Sequence, residues 1–182
     1  MTVQIDWNFI AQQEGSKLNG YVPDPYHSHS GVTIASGVDL GQMTAAEIVA
    51  AYPPALAVKL TRYAGLHGSV AQAALERTPL TITQDEANLL NQRARAVTVA
   101  GLERQYLVAT GKTLDSLPPA AQTILASVTF QYGTPWVRTP NFWHACLDRN
   151  WALVIADLRN FHDAYQPRHS READYLEQHL HA

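Results

Sequence analysis

Apolar residues recur at helical spacing along most of this chain, and strand-like alternation is confined to one short stretch near the N-terminus. Trp7 and Ile10 lie seven and four positions before Glu14, so the three share a helical face, and Asp6 stands where a helix cap is expected. Glu14 therefore ends an apolar stripe. Gly15, Gly20, Pro23, Pro25, Gly31, Gly37 and Gly41 then exclude a long helix. Between them, the run from Gly31 through Val32, Thr33, Ile34, Ala35, Ser36, Gly37 and Val38 to Asp39 alternates as strands do, which predicts a small β-hairpin lobe over residues 17 to 41. Further on, Thr44 with Glu47 and Thr83 with Glu86 have the spacing of capping boxes and mark two helix starts. Leu147, Trp151, Val154, Leu158, Phe161 and Tyr165 alternate spacings of four and three, the stripe of helices packed on a core. Thr139 followed by Pro140 reads as a cap and a proline in the first turn, and the stretch from Gly133 to Trp136 as a helix end. No repeat, low-complexity tract or interdomain linker breaks the pattern, so the expectation is one mostly helical domain over all 182 residues.

Composition narrows the function classes. With 46% hydrophobic residues the chain can bury a sizeable core, and a net charge of -3 supplies no basic field, so nucleic acid is not an expected partner. The single cysteine, Cys146, sits in an apolar stretch and has no partner in the chain, which fits synthesis in a reducing compartment. There is no apolar run long enough to span a bilayer, and the first ten residues lack the charged and apolar regions of a secretory signal. The expectations are cytoplasmic synthesis without a signal peptide, no membrane insertion and a monomer.

The candidate chemistry lies in the turn-rich stretch. Glu14 extends a buried stripe and stands at the negative end of a helix dipole; both features favour a carboxyl that keeps its proton, as a general acid must. Thr33 taken singly is an ordinary strand residue and Asp39 an ordinary turn aspartate. Together with Glu14 they make a set for glycosidic hydrolysis, in which one carboxyl protonates the leaving oxygen while a carboxylate and a hydroxyl hold the attacking water. His27 and His29 are the rival: alternate residues of a strand face one side and would offer two imidazoles to zinc, with His162 or Asp163 as a distant third ligand. Among the aromatics, Phe130, Tyr132, Trp136, Trp143 and Trp151 are core-packing candidates, with one of them a candidate to stack on a sugar.

Six ordered anchors resemble the phage-type lysozymes and the related muramidase domain of pesticin-like bacterial toxins. They are Glu14-Gly15 with Gly20-Tyr21; the run from Thr33 to Gly41; Ile82 to Ala87; Asp115 to Leu117; Phe130 to Gly133; and Tyr165 with Arg171. The resemblance implies a mostly α, α+β lysozyme-like fold with a small N-terminal lobe bearing a β-hairpin, a long connecting helix and a C-terminal helical lobe. The lobes would comprise residues 14–83 and residues 1–13 plus 109–182, joined by a helix over about 84–108. It also implies hydrolysis of the β-1,4 bond between N-acetylmuramic acid and N-acetylglucosamine in peptidoglycan, with no cofactor and no metal. Glu14 matches the family's acid, Thr33 its active-site threonine, Gln131 a substrate-side glutamine and Arg171 an arginine near the acid; Tyr21 is a further substrate-binding candidate. Phage lysozymes carry an aspartate six residues before the threonine, where this chain has His27. The pesticin-like pattern instead has one just after it, which Asp39 supplies, with Asp24 as the second candidate.

The leading expectation is a bacteriolytic muramidase, acting as endolysin, toxin or antibacterial effector, that reaches the cell wall by holin- or secretion-type delivery and inverts the anomeric centre. Its partners would be peptidoglycan and an immunity protein. Two alternatives stand beside it: a zinc-dependent peptidoglycan amidase or peptidase using His27 and His29, and a non-catalytic wall-binding domain that keeps the fold without the chemistry.

Overall fold

The computed structural model describes residues 2–180, which form two compact units, one running from Glu14 to Arg95 and the other joining the segment that ends at Gln13 to the chain from Ala96 onward. Helix α1 spans Trp7–Glu14, and Asp6 caps it as expected, its Oδ1 accepting from the backbone N–H groups of Asn8 and Phe9 at 3.0 Å each. Gly15 then takes φ +64°, a left-handed conformation that ends the helix at little cost because glycine has no Cβ.

The sheet-bearing unit holds β1 (Lys17–Tyr21), β2 (Thr33–Ala35) and β3 (Val38–Asp39), antiparallel in the order β1-β2-β3. The expected hairpin is thus one edge of a three-stranded sheet. Sequence understated it because β3 is only two residues long and is recognised by its pairing of Thr33 with Asp39 and Ile34 with Val38. β1 is also engaged on its far edge, where Gly20 N–H donates to Leu80 and Ile82 N–H to Leu18, both at 2.9 Å. Helices α2 (Ala45–Ala51), α3 (Pro54–Leu60) and α4 (Gly68–Arg77) surround the sheet. Their Ile48, Leu56, Leu60 and Ala71 bury with Val32, Ile34, Leu40, Tyr63 and Ile82 to form this unit's core.

Both capping boxes are present: Thr44 and Glu47 exchange bonds at the start of α2, and Thr83 and Glu86 do so before α5 (Gln84–Thr110). Helix α5 gives Ala87 and Leu90 to the sheet-bearing unit's core, and Leu102 and Tyr106 to the helical unit's. Between Asn91 and Leu102 no residue is buried. At the centre of the helical unit runs α6 (Pro119–Tyr132), buried from Ala120 to Thr129; most of these residues are apolar or small, as an enclosed helix requires, and the larger polar one, Gln122, donates to the Leu117 carbonyl at 2.7 Å. Gly133, at φ +75°, ends it. Around it lie α7 (Pro135–Arg138), α8 (Pro140–Leu147), α9 (Trp151–Arg159) and α10 (Gln166–His179).

Three local expectations are corrected. Thr139 occupies the cap position of α8, but its hydroxyl donates to the Pro135 carbonyl rather than accepting a helix N–H, because α7 ends there and leaves that carbonyl within reach. The stripe from Leu147 to Tyr165 is divided: Val154 and Leu158 are buried on α9, whereas Phe161 and Tyr165 follow the helix end and Tyr165 is 58% exposed. His27 and His29 lie outside any strand, so the two-residue alternation that would aim both imidazoles one way does not operate.

Candidate active site

Register places the sheet's functional candidates. Tyr21 pairs with Thr33 and Thr33 with Asp39, and directly opposed residues of an antiparallel sheet share a face. The three therefore form one row across the sheet. Ile34, the intervening residue, points the other way into the core and is fully buried. Alternation thus separates a chemical face from a packing face within three residues.

Asp39 is held by backbone amides. Its Oδ1 accepts from Gly31 N–H at 3.0 Å and from Gly41 N–H at 2.8 Å, which fixes the carboxylate and leaves Oδ2 outside those two bonds. The geometry needs glycine at both positions: a Cβ on Gly31 would lie 2.4 Å from the Leu66 carbonyl oxygen, and one on Gly41 would lie 2.6 Å from it. Only bare backbone lets the two segments approach closely enough to share one carboxylate oxygen. Thr33 is 4% exposed and its hydroxyl donates to the Gly31 carbonyl at 3.3 Å, so both residues of the pair are anchored on the same glycine. Tyr21 is half-buried, with the Lys17 ammonium 3.7 Å above its ring; burial first and then the Asp39 charge push its hydroxyl above the usual tyrosine value.

Glu14 is half-buried and its Oε1 is shut off from solvent. The next residue is tied to the hairpin, since the Ser36 hydroxyl donates to the Gly15 carbonyl at 2.7 Å and Ser36 N–H donates to Asn91 Oδ1 at 3.0 Å. Ser36 and Gly37 make the turn between β2 and β3, entered through Ala35 at φ +54°, a conformation rare for a residue with a Cβ. One serine thus joins the backbone after Glu14 to the hairpin that carries Thr33 and Asp39.

Asp24 is exposed and spends Oδ1 on His27, accepting from its N–H at 3.1 Å and meeting Nδ1 at 2.9 Å. Among the described residues, no group of three His, Cys, Asp or Glu side chains has the geometry to hold a metal ion. Gln131 and Arg171 belong to the helical unit. Both amide atoms of Gln131 are buried without a hydrogen-bond partner among the described residues, a costly state for a polar group. Arg171 is exposed and donates from Nε to Gln13 Oε1 at 2.7 Å, so it contacts the residue just before Glu14 in the chain. Sequence reasoning missed Arg168, the buried arginine of α10, because its partners Ser127 and Glu172 identify it only once α6 and α10 pack.

A mostly helical α+β fold with a small three-stranded antiparallel sheet is that of the lysozyme-like class of protein. In agreement, a family model for Pesticin, described as a bacterial toxin homologue of phage lysozyme, matches residues 4–152, and the chain belongs to this family. It is a lysozyme-like peptidoglycan hydrolase. No curated protein matches it.

Proposed function

We propose that the chain is a muramidase, cleaving the β-1,4 bond on the reducing side of N-acetylmuramic acid, with Glu14 as general acid and Asp39, helped by Thr33, holding the attacking water. The observation that carries this reading is the row formed by Tyr21, Thr33 and Asp39, in which a two-amide clamp orients the carboxylate. A carboxylate held in this way suits orientation of a small nucleophile, and the neighbouring hydroxyl offers that water a second hydrogen-bonding group. The position of Glu14 supports its role as acid: it ends α1 half-buried, with Oε1 shut off from solvent. Gln131, Arg171 and Tyr21 are assigned to the glycan. Inversion follows if Asp39 acts on water rather than on the sugar carbon. The biological role that fits this chemistry is bacteriolysis, as a toxin or effector delivered to a target cell's wall and neutralised in its producer by an immunity protein.

Glu14→Gln is the deciding variant. It should keep the far-ultraviolet spectrum and unfolding midpoint of the parent while losing at least about a hundredfold in release of reducing sugar from purified peptidoglycan. Mass spectrometry of the wild-type digest should show muramic acid at the new reducing ends. Glucosamine or anhydromuramic acid there, or near-normal turnover by the variant, would sink the assignment.

A further inference from the structure

From Glu14 to Thr33 the chain passes through β1 and then a loop, so covalent connection alone leaves the distance between the acid and the hairpin groups open. Strand pairing closes only part of that gap. Lys17 pairs with Ala35 and Tyr21 with Thr33, four steps along β1 against two along β2, so a bulge interrupts the ladder between the acid's end of β1 and the row that bears Thr33. An interrupted ladder fixes a distance poorly.

Ser36 supplies the missing link just beyond the last pair, and both of its donors are committed to it. The hydroxyl donates to the Gly15 carbonyl at 2.7 Å and the N–H to Asn91 Oδ1 at 3.0 Å. Asn91 lies on α5, 55 positions away in the chain, and is 8% exposed beside a Ser36 that is 9% exposed, so water competes little for the bond between them. Ala87 and Leu90 of the same helix are fully buried in this unit's core, which seats the turn of α5 that carries the amide. What these bonds hold is a conformation the chain would not choose: Ala35, directly before Ser36, stands at φ +54° and is 3% exposed. Strain of that kind persists only where the surroundings over-determine it.

We propose that Asn91 and Ser36 are positioning residues of the hydrolytic site: Asn91 seats the turn between β2 and β3 on α5, Ser36 ties the backbone that leaves Glu14 to that turn, and together they set the separation between the Glu14 carboxyl and the Thr33 and Asp39 pair. The inference rests on the reading of Glu14 as general acid under the proposed function. Both residues act through others, since their polar atoms are spent on backbone and on each other. Their contribution therefore falls on the chemical step, because proton donation weakens steeply when donor and leaving oxygen are displaced by an ångström, whereas glycan affinity comes from the groups that touch the sugars. Loosening the link lowers kcat and leaves KM in place.

Steady-state turnover of the whole chain on purified peptidoglycan tests this, at a temperature well below every variant's unfolding midpoint. Ser36→Ala removes the hydroxyl and Asn91→Ala the acceptor, and each should lower kcat roughly ten- to a hundredfold while KM stays within about twofold of the parent's. Asn91→Asp keeps an acceptor oxygen in the same place and should bring kcat back to within about threefold of the parent. Ile48→Val, which thins the same core, is the stability control: its midpoint should fall and its kcat should not. Parent-like kcat in Ser36→Ala overturns the proposal, as does a loss that Ile48→Val reproduces, a loss carried by KM alone, or an Asn91→Asp variant as slow as Asn91→Ala. If Asn91→Ala does not fold, Ser36→Ala, which keeps every backbone bond of the turn, decides. If the parent itself releases no sugar, the hydrolase reading fails separately, and the carboxyl carbon resonance of Glu14 in the substrate-free protein decides the positioning. That resonance should move in Ser36→Ala and stay in Ile48→Val; an unmoved resonance in Ser36→Ala overturns the link.

Discussion

The two units hold their polar groups in different ways. In the sheet-bearing unit, Asp39 and Thr33 are fastened by neighbours eight residues away or fewer, through Gly31 and Gly41. In the helical unit, Glu172 is bonded to Ser127, 45 positions earlier, and Arg168 to the same serine, 41 positions earlier. Short closures cost little chain entropy and form with the hairpin itself, whereas the distant ones form only after α6 and α10 have packed. The solvent setting differs as well. Asp39 is half-buried and its bonds come from backbone amides, so under the proposed function its loss is expected to lower turnover more than stability; Glu172 is fully buried among charges, so its loss is expected to harm stability first.

This contrast can be broken at its strong end. Glu172→Ala would leave Arg168 and His169 buried without their shared acceptor and should cost about 3 to 5 kcal/mol in urea unfolding. A loss below about 1 kcal/mol would mean the cluster is not a buried charge network. At the sheet, Asp39→Ala leaves two backbone N–H groups without an acceptor and should cost about 1 to 3 kcal/mol. Asp39→Asn keeps an acceptor oxygen, so it should retain most of that stability while turnover falls roughly ten- to a hundredfold. Equal stability losses in the two variants would show that the clamp does not work as described.

A finer probe uses acid. Burial by itself would raise the Asp163 carboxyl, but the bonds donated by the Tyr132 hydroxyl and the Tyr165 N–H outweigh it and hold the group below its ordinary value of 3.8. Its folded value being the lower one, Asp163 contributes stability above 3.8 that disappears as pH falls through the depressed value. Tyr132→Phe removes the leading bond, so its unfolding midpoint should fall near neutral pH and depend less on acid than the parent's. An unchanged acid dependence would remove Asp163 from the energetics of folding. The smallest effect is expected at Lys59, which donates to Glu86 at 2.8 and 3.0 Å on a partly exposed surface; Lys59→Met should change stability by about 0 to 1 kcal/mol, less in high salt. A larger change would give that surface pair a weight its exposure does not explain.

Much of this was legible before any coordinates. Asp6, Thr44 and Thr83 act within three residues of the helix starts they cap, so spacing alone identified them. The alternation from Gly31 to Asp39 likewise marked strands, whereas the face that Thr33 and Asp39 share came from the register. Thr139 was misread because its competing acceptor, the Pro135 carbonyl, becomes available only through the turn of α7. Phe161 kept its period but left its helix to stack on His169, a partner that no periodicity announces. Gly31 and Gly41 read as punctuation, although their function is to let two backbones share one carboxylate.

By itself the sequence determined the helical periodicity, the caps at Asp6, Thr44 and Thr83 and the strand character of the stretch from Gly31 to Asp39, since each depends on interactions between near neighbours whose geometry is a constant of the polypeptide. Only the tertiary structure decided that β3 pairs back on Thr33, that two glycine segments cross beside Asp39, and that Arg168 rather than Arg171 is the arginine held in a buried charge cluster. Those contacts depend on which distant surfaces exclude water together, and one-dimensional order does not carry that information.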